Sequence, residues 1–279
     1  MNSLNAQVSA QSDSRQLNQK KLRAYLGSIG MTHSYQNIAI DHTRIQPVIE
    51  KPVHTPPIVP EHVRIITQPK TILKAEPIKQ QIDACTSVEN LKILLDSYYD
   101  CDLRKTATNT VFSDGAIEAP IMIVGEAPGA EEDACGKPFV GKSGQLIDNM
   151  FKSIGLSRTK NLYISNMIFW RPPGNRPPTA IEIEQCLPFI EKHITLIKPK
   201  ILILLGGIAA KTLLKTKETI IQMRGKSHIF THADIDHDIP VLAFYHPAYL
   251  LRSPRQKAVF WQDLLKLKTL IKTKNIVLD

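Results

Sequence analysis

The four cysteines of this 279-residue chain, Cys85, Cys101, Cys135 and Cys186, are widely scattered and include no C-x-x-C pair. That spacing argues against a disulfide-stapled secreted scaffold and against the common structural zinc motifs, and it suits reduced thiols. Long hydrophobic runs are also missing. No stretch is apolar enough to span a bilayer, and residues 1–30 carry polar side chains where a signal peptide needs its apolar centre. No internal repeat is visible, which argues against a solenoid or an array. These absences lead us to expect a soluble, cytoplasmic protein with no membrane partner, working as a monomer.

What is present points to a folded core with a basic surface. A hydrophobic content of 43% supports a core, and a net charge of +9 with only 6% aromatic residues favours a polyanionic partner. Along the chain, residues 1–32 hold a short amphipathic helical pattern (Leu17, Leu22, Tyr25, Leu26, Ile29). Residues 33–83 are rich in proline and read as a flexible linker. Residues 84–275 carry the regular patterns of a domain. A helical pattern runs from Cys85 to Tyr99, with the possible cap Thr86-Ser87. Strands are expected at Ile121–Val124, Leu162–Asn166, Ile201–Gly207 and Pro240–Phe244, with helices at Gln145–Ile154, Ile181–Ile197, after the third strand through Leu214, and Gln256–Lys272. The segment from Ile221 to Asp238 reads as irregular. Strands alternating with helices predict an α/β fold, a three-layer α/β/α sandwich around a central four-stranded parallel sheet. In that architecture ligands bind beyond the carboxyl ends of the strands, where the unusual loops of this chain all fall.

The densest chemistry follows the first strand. Gly125-Glu-Ala-Pro-Gly129 breaks the strand into a turn whose backbone can pass close to a ligand, and Glu126, Glu132 and Asp133 place three carboxylates there. Phe139 is an apolar ring in a polar loop, more useful as a stacking platform than as a solvated connection. Within this stretch Gly136-Lys-Pro-Phe-Val-Gly-Lys142-Ser143 matches the phosphate-loop pattern letter for letter. Its context is wrong, because a phosphate loop begins at the end of a buried strand, and here acidic residues precede it.

Taken in order, Gly125-Glu-Ala-Pro-Gly129 with Glu132, Gly136-Lys-Pro-Phe-Val-Gly141, Asn166 ahead of Arg171-Pro-Pro-Gly-Asn-Arg176, and His246-Pro-Ala-Tyr-Leu-Leu-Arg252 resemble the uracil-DNA glycosylase superfamily, in particular its type 4 enzymes. The resemblance covers roughly residues 84–270. It implies a DNA repair hydrolase that frees uracil from single- or double-stranded DNA and leaves an abasic site. It further implies that Phe139 stacks on uracil, that Asn166 reads the edge separating uracil from cytosine, and that His246 donates to the oxygen of the departing anion. Gly125, Glu126 and Ala127 would hold the base through backbone groups. Type 1 enzymes carry an aspartate where this chain has Ala127, so Glu132 and Asn175 become the candidates for placing the water. Leu250, Leu251 and Arg252 would form a duplex wedge and phosphate contact.

One departure concerns a cofactor. Type 4 enzymes typically hold a [4Fe-4S] cluster on four cysteines. Cys101 and Cys186 match two of those positions, whereas Tyr98 and Trp170 stand at the others and cannot supply thiolates. The expectation is no metal and an aromatic plug, with a rearranged cluster using Cys85 or Cys135 as the alternative. Two other functional readings remain at this stage, a catalytically silent nucleic-acid-binding relative and a nucleotide hydrolase built on the phosphate-loop match.

Overall fold

Three of the four apolar runs are buried from end to end and the fourth is half-buried only at Pro240, and alternate side chains serve opposite faces. In the computed structural model, which describes residues 77–278, strand β2 (Ile121–Gly125) sends Met122 and Val124 into one apolar layer and Ile121 and Ile123 into another. Strands β3 (Leu162–Asn166), β4 (Ile201–Leu205) and β6 (Ile239–Phe244) divide their side chains in the same way. Only a sheet covered on both faces can use such continuous runs.

The sheet order is β1-β3-β2-β4-β6-β5, with the inner four strands parallel. The expected four-stranded parallel centre is therefore present, inside a six-stranded mixed sheet. Its two edges, β1 (Ser113–Gly115) and β5 (His228–Phe230), pair antiparallel and were not expected from sequence. Each has three residues and little apolar alternation, too short to leave a pattern. The segment expected to be irregular thus contains β5, preceded by the one-turn helix α8 (Ile220–Met223).

One face is covered by α1 (Ile78–Asp83), α2 (Val88–Asp96), α6 (Ala180–Ile197) and α7 (Gly207–Leu213). The other is covered by α5 (Lys142–Lys152), α9 (Pro247–Arg252) and α10 (Gln256–Thr273). Short helices α3 (Leu103–Thr106) and α4 (Ala130–Cys135) complete the set. Local signals explain several boundaries. The Ser87 hydroxyl accepts from the Asn90 amide to start α2, and Thr179 with Glu182 forms a capping box that starts α6. Helix α1 lies in what the sequence suggested was linker. Ile82 is buried there and Lys192 Nζ donates to the Asp83 carbonyl, so regular structure begins earlier than residue 84. At the other end Ile276 is buried, just past the expected boundary at 275. The helical pattern within residues 1–32 and most of the proline-rich stretch lie outside the described residues. No described helix is long and apolar enough to cross a membrane.

A polar group inside the first layer makes the fold sensitive to acid. His193 of α6 is fully buried, stacked on Phe112 with ring centres 4.3 Å apart, and its Nε2 lies 2.8 Å from the Tyr163 hydroxyl. Burial pushes its pKa down to about 3. The unfolded chain takes up this proton near pH 6.5 and the native chain does not, so stability falls as pH drops through that range. Lowering pH from 7 to 5 should cost about 2 kcal/mol of unfolding free energy through His193. Urea unfolding of the chain and of a His193→Gln variant at both pH values checks this, and an equal acid loss in the variant would refute it.

Candidate active site

The ends of β2, β3 and β6 open on one cavity of about 490 Å³, whose lining includes Glu126, Ala127, Glu132, Phe139, Asn166, Asn175, His246 and Arg252. Eight of the eleven candidate site residues are thus brought together. Gly125 lies directly beneath. A Cβ on Gly125 would come within 2.4 Å of both Asn166 Oδ1 and Phe139 Cζ, so any side chain there would displace the two groups that define the cavity floor. The carbonyls of Gly125 and Glu126 accept from the amides of Met167 and Ile168, tying this turn to the end of β3.

Asn166 ends β3 and is almost fully buried. Its Oδ1 is enclosed and has no hydrogen-bond partner among the described residues. Leaving such a group unpaired costs about 1–3 kcal/mol, which a ligand donor would recover.

His246 caps α9. Its Nδ1 accepts from the Ala248 amide at 3.2 Å, so the neutral ring carries its proton on Nε2. Burial, reinforced by the Arg252 cation and opposed by the Glu132 carboxylate, lowers its pKa to about 4. At neutral pH this is an uncharged N–H donor at the cavity wall. Its ring centre is 5.9 Å from that of Phe139. Gly206 makes the approach possible, since a Cβ there would lie 3.2 Å from His246 Cβ and its φ is +98°.

Glu132 reaches across its own loop. Oε2 accepts from the Gly129 amide and Oε1 from the amides of Val140 and Gly141, at 2.8–3.1 Å. The carboxylate thereby fastens the start of α4 to the start of α5. It also occupies amides that a phosphate loop would offer to a nucleotide. Lys142 is the first residue of α5 and is exposed. Neither the chain nor a Lys142→Ala variant should therefore bind ATP in a calorimetric titration, and if the activity implied by the resemblance holds, the variant should keep it within about tenfold, the change expected for loss of one phosphate contact. Saturable ATP binding that disappears with Lys142 would revive the nucleotide reading.

Glu126 is half-buried, and burial raises its pKa; among the described residues its carboxylate has no ion-pair or hydrogen-bond partner. Asn175 is exposed at the rim in a left-handed conformation, its Oδ1 accepting from Arg171 Nε at 2.7 Å. The wedge expectation needs a correction at Leu250. Pro247 and Leu250 sit one turn apart on the inner side of α9, and Leu250 is fully buried in the second apolar layer. Leu251 is 41% exposed, and Arg252 is exposed at the cavity mouth. Arg176, absent from the candidate set though inside the quoted motif, also lines the cavity and forms a two-pronged pair with Glu182. That pair, aided by the Thr179 cap, holds the Glu182 carboxyl down to about 2.

The sequence profile of the Uracil DNA glycosylase superfamily matches residues 112–265, more than half of the chain and all four inner strands. Curated type-4 uracil-DNA glycosylases are similar over nearly their whole length. That of Pyrobaculum aerophilum is 36% identical over 181 residues, 63% of this chain and 91% of the relative. That of Sulfurisphaera tokodaii is 37% identical over 199 residues, covering 69% and 89%. That of Saccharolobus solfataricus is 38% identical over 200 residues, covering 69% and 91%. The chain belongs to the uracil-DNA glycosylase superfamily, on its type-4 branch.

For a superfamily member the cavity has a definite chemical character. It offers one flat apolar ring, one enclosed amide, one neutral imidazole N–H and one carboxylate without a partner. Such a set can stack a planar base, test its hydrogen-bonding edge, stabilise negative charge on a leaving ring and hold a water.

Proposed function

We propose that the chain excises uracil from DNA by hydrolysing its N-glycosidic bond. The observation that carries this reading is Asn166, whose enclosed amide oxygen lacks a donor next to the Phe139 ring. Uracil presents an imide N–H between two carbonyls, which satisfies a carboxamide on both of its ends. Cytosine presents a lone pair at the same ring position and would leave Oδ1 facing another acceptor. Phe139 supplies the stacking surface, a contact of about 1–3 kcal/mol. As the bond to deoxyribose lengthens, charge builds on the uracil oxygens, and His246 Nε2–H donates to it without itself carrying charge. Glu132 holds the loop in this scheme. Glu126 is the carboxylate free to hold the attacking water, with Asn175 closing the rim.

DNA approaches a basic surface, and Arg252 at the mouth provides a phosphate contact, with Leu251 the residue positioned to enter the base stack. Incubating the full chain with a single-stranded oligonucleotide containing one deoxyuridine, followed by alkaline cleavage and detection of free uracil, tests the activity. Binding of this oligonucleotide with no release would instead identify a silent DNA-binding relative.

The cluster of type-4 enzymes finds no matching ligand set here. Cys101 and Cys186 are both fully buried, and their mutual hydrogen bond, with burial, holds the Cys186 thiol well above its ordinary pKa. Trp170 is also fully buried and donates its indole N–H to Thr110 Oγ1, while Tyr98 packs on Phe189 with ring centres 5.2 Å apart. Cys85 donates to the Gln81 carbonyl and Cys135 is exposed at the end of α4. Among the described residues no group of three or more His, Cys, Asp or Glu side chains is placed to hold a metal. The residues do not fit a four-thiolate cluster. We therefore read Tyr98 and Trp170 as an aromatic plug that replaces it.

A further inference from the structure

Arg158, between α5 and β3, does not line the cavity, yet it fixes the residue on which recognition depends. All of its donors are engaged. Nε and Nη2 bond Asp148 of α5 at 3.0–3.2 Å, and Nη1 bonds Asp114 of β1 at 2.9 Å. Nη1 also donates to the Pro138 carbonyl at 3.1 Å, and Nη2 to the Phe139 carbonyl at 2.8 Å. A planar fork with five N–H groups can reach two carboxylates and two consecutive carbonyls together, and an ammonium cannot.

The clamped backbone is an unfavourable one. Phe139 has φ +53°, in the left-handed region that side chains other than glycine rarely adopt. From the other side, the first turn of α5 presses on the same carbonyl: a Cβ at Gly144 would meet Phe139 O at 1.8 Å, which only glycine avoids. With its carbonyl held between Arg158 and Gly144, Phe139 can direct its ring only over Gly125 and beside Asn166. The edge strand β1 thus has a use in the site, because it delivers Asp114 to the guanidinium.

We propose that Arg158, oriented by Asp114 and Asp148, is a positioning residue for uracil recognition that acts through the backbone of Phe139. The proposal rests on Phe139 being the stacking ring under the function above. Loss of the clamp frees Phe139 to leave the left-handed conformation, and the ring then spends less of its time over the base. The consequence is weaker uracil binding with unchanged affinity for undamaged DNA.

The test is a double-mutant cycle in the full chain, with Arg158→Lys, Phe139→Ala and their combination, reading free-uracil inhibition and KM for a deoxyuridine oligonucleotide. Arg158→Lys should raise the uracil inhibition constant and KM about tenfold, within what base stacking on one ring supplies, and the double variant should be no worse than Phe139→Ala alone. Binding of uracil-free DNA by Arg158→Lys should match the parent. Additive losses in the double variant, or unchanged uracil inhibition in Arg158→Lys, overturn the positioning role even if thermal stability falls. Should Arg158→Lys fail to fold, Asp148→Asn takes its place in the same cycle, with the same non-additivity expected. An active parent in which Phe139→Ala leaves uracil inhibition unchanged removes the stacking assignment and this proposal with it, whereas an inactive parent defeats the functional reading itself.

Discussion

Single-turnover uracil release by His246→Ala is expected to be about 10²–10³-fold slower than by the unaltered chain, the loss typical of removing one donor to a developing anion. Affinity for uracil-containing DNA should change little. The structural basis is the fixed tautomer: Nδ1 is committed to the Ala248 amide and a pKa near 4 keeps the ring neutral, so Nε2–H is available throughout the neutral range. A neutral donor gains most when charge accumulates on its acceptor, so its absence slows the chemical step more than it weakens the ground-state complex. Asn166→Asp should behave differently. It replaces the amide N–H₂ with a carboxylate facing a uracil carbonyl, which penalises binding of the base before any bond breaks, with general DNA affinity retained. Filter binding at fixed salt alongside quenched-flow kinetics separates the two variants. Equal rates for His246→Ala and the unaltered chain would remove histidine from the mechanism.

The parts of this fold that were legible in the sequence share one physical cause. Strands β2, β3, β4 and β6 are continuous apolar runs with glycine or proline close by, and burial on both faces leaves few other ways to read them. The site loops were found because they sit at the ends of those strands. What stayed hidden depends on contacts between segments remote in sequence. Glu132 was a candidate for placing the water, and nothing near it in sequence indicates that two of its three amide partners come from the far side of the loop. Helix α5 starts earlier than its apolar pattern suggests, because Gly144 looks like a loop residue until the Phe139 carbonyl is seen against it. Leu250 and Leu251 are adjacent leucines on a helix of six residues, and no periodicity in so short an element says which one faces inward. Arg158 carried no motif at all. Its importance lies in joining β1, α5 and the Phe139 loop, a relation that appears only when the chain is folded.

Trp170→Ala should destabilise the domain by roughly 3–5 kcal/mol, the cost of a large-to-small change at a fully buried aromatic. The indole is enclosed among the fully buried residues of the first apolar layer, with Phe169 edge-on to it and its N–H bonded to the half-buried Thr110, so truncation loses those contacts and one hydrogen bond. The size of the effect bears on the cofactor. In a four-thiolate site the metal cluster links the segments that bear its ligands, and under the plug reading they are joined instead by contacts such as Tyr98 on Phe189 and the Trp170 indole N–H to Thr110. If that packing does the structural work, the chain purified without oxygen should contain no stoichiometric iron or sulfide, show no broad visible absorption, and unfold at the same denaturant concentration with or without a chelator. Trp170→Cys gives a sharper version of the test. It raises the number of matched thiol positions from two to three and opens a cavity the size of an indole, yet leaves a tyrosine at the fourth position, so it should lose stability as Trp170→Ala does and gain no bound iron. About four irons per chain in the unaltered protein would mean that Cys85 or Cys135 moves to join Cys101 and Cys186, which would require rebuilding the packing around α1 and α2 and would end the plug model.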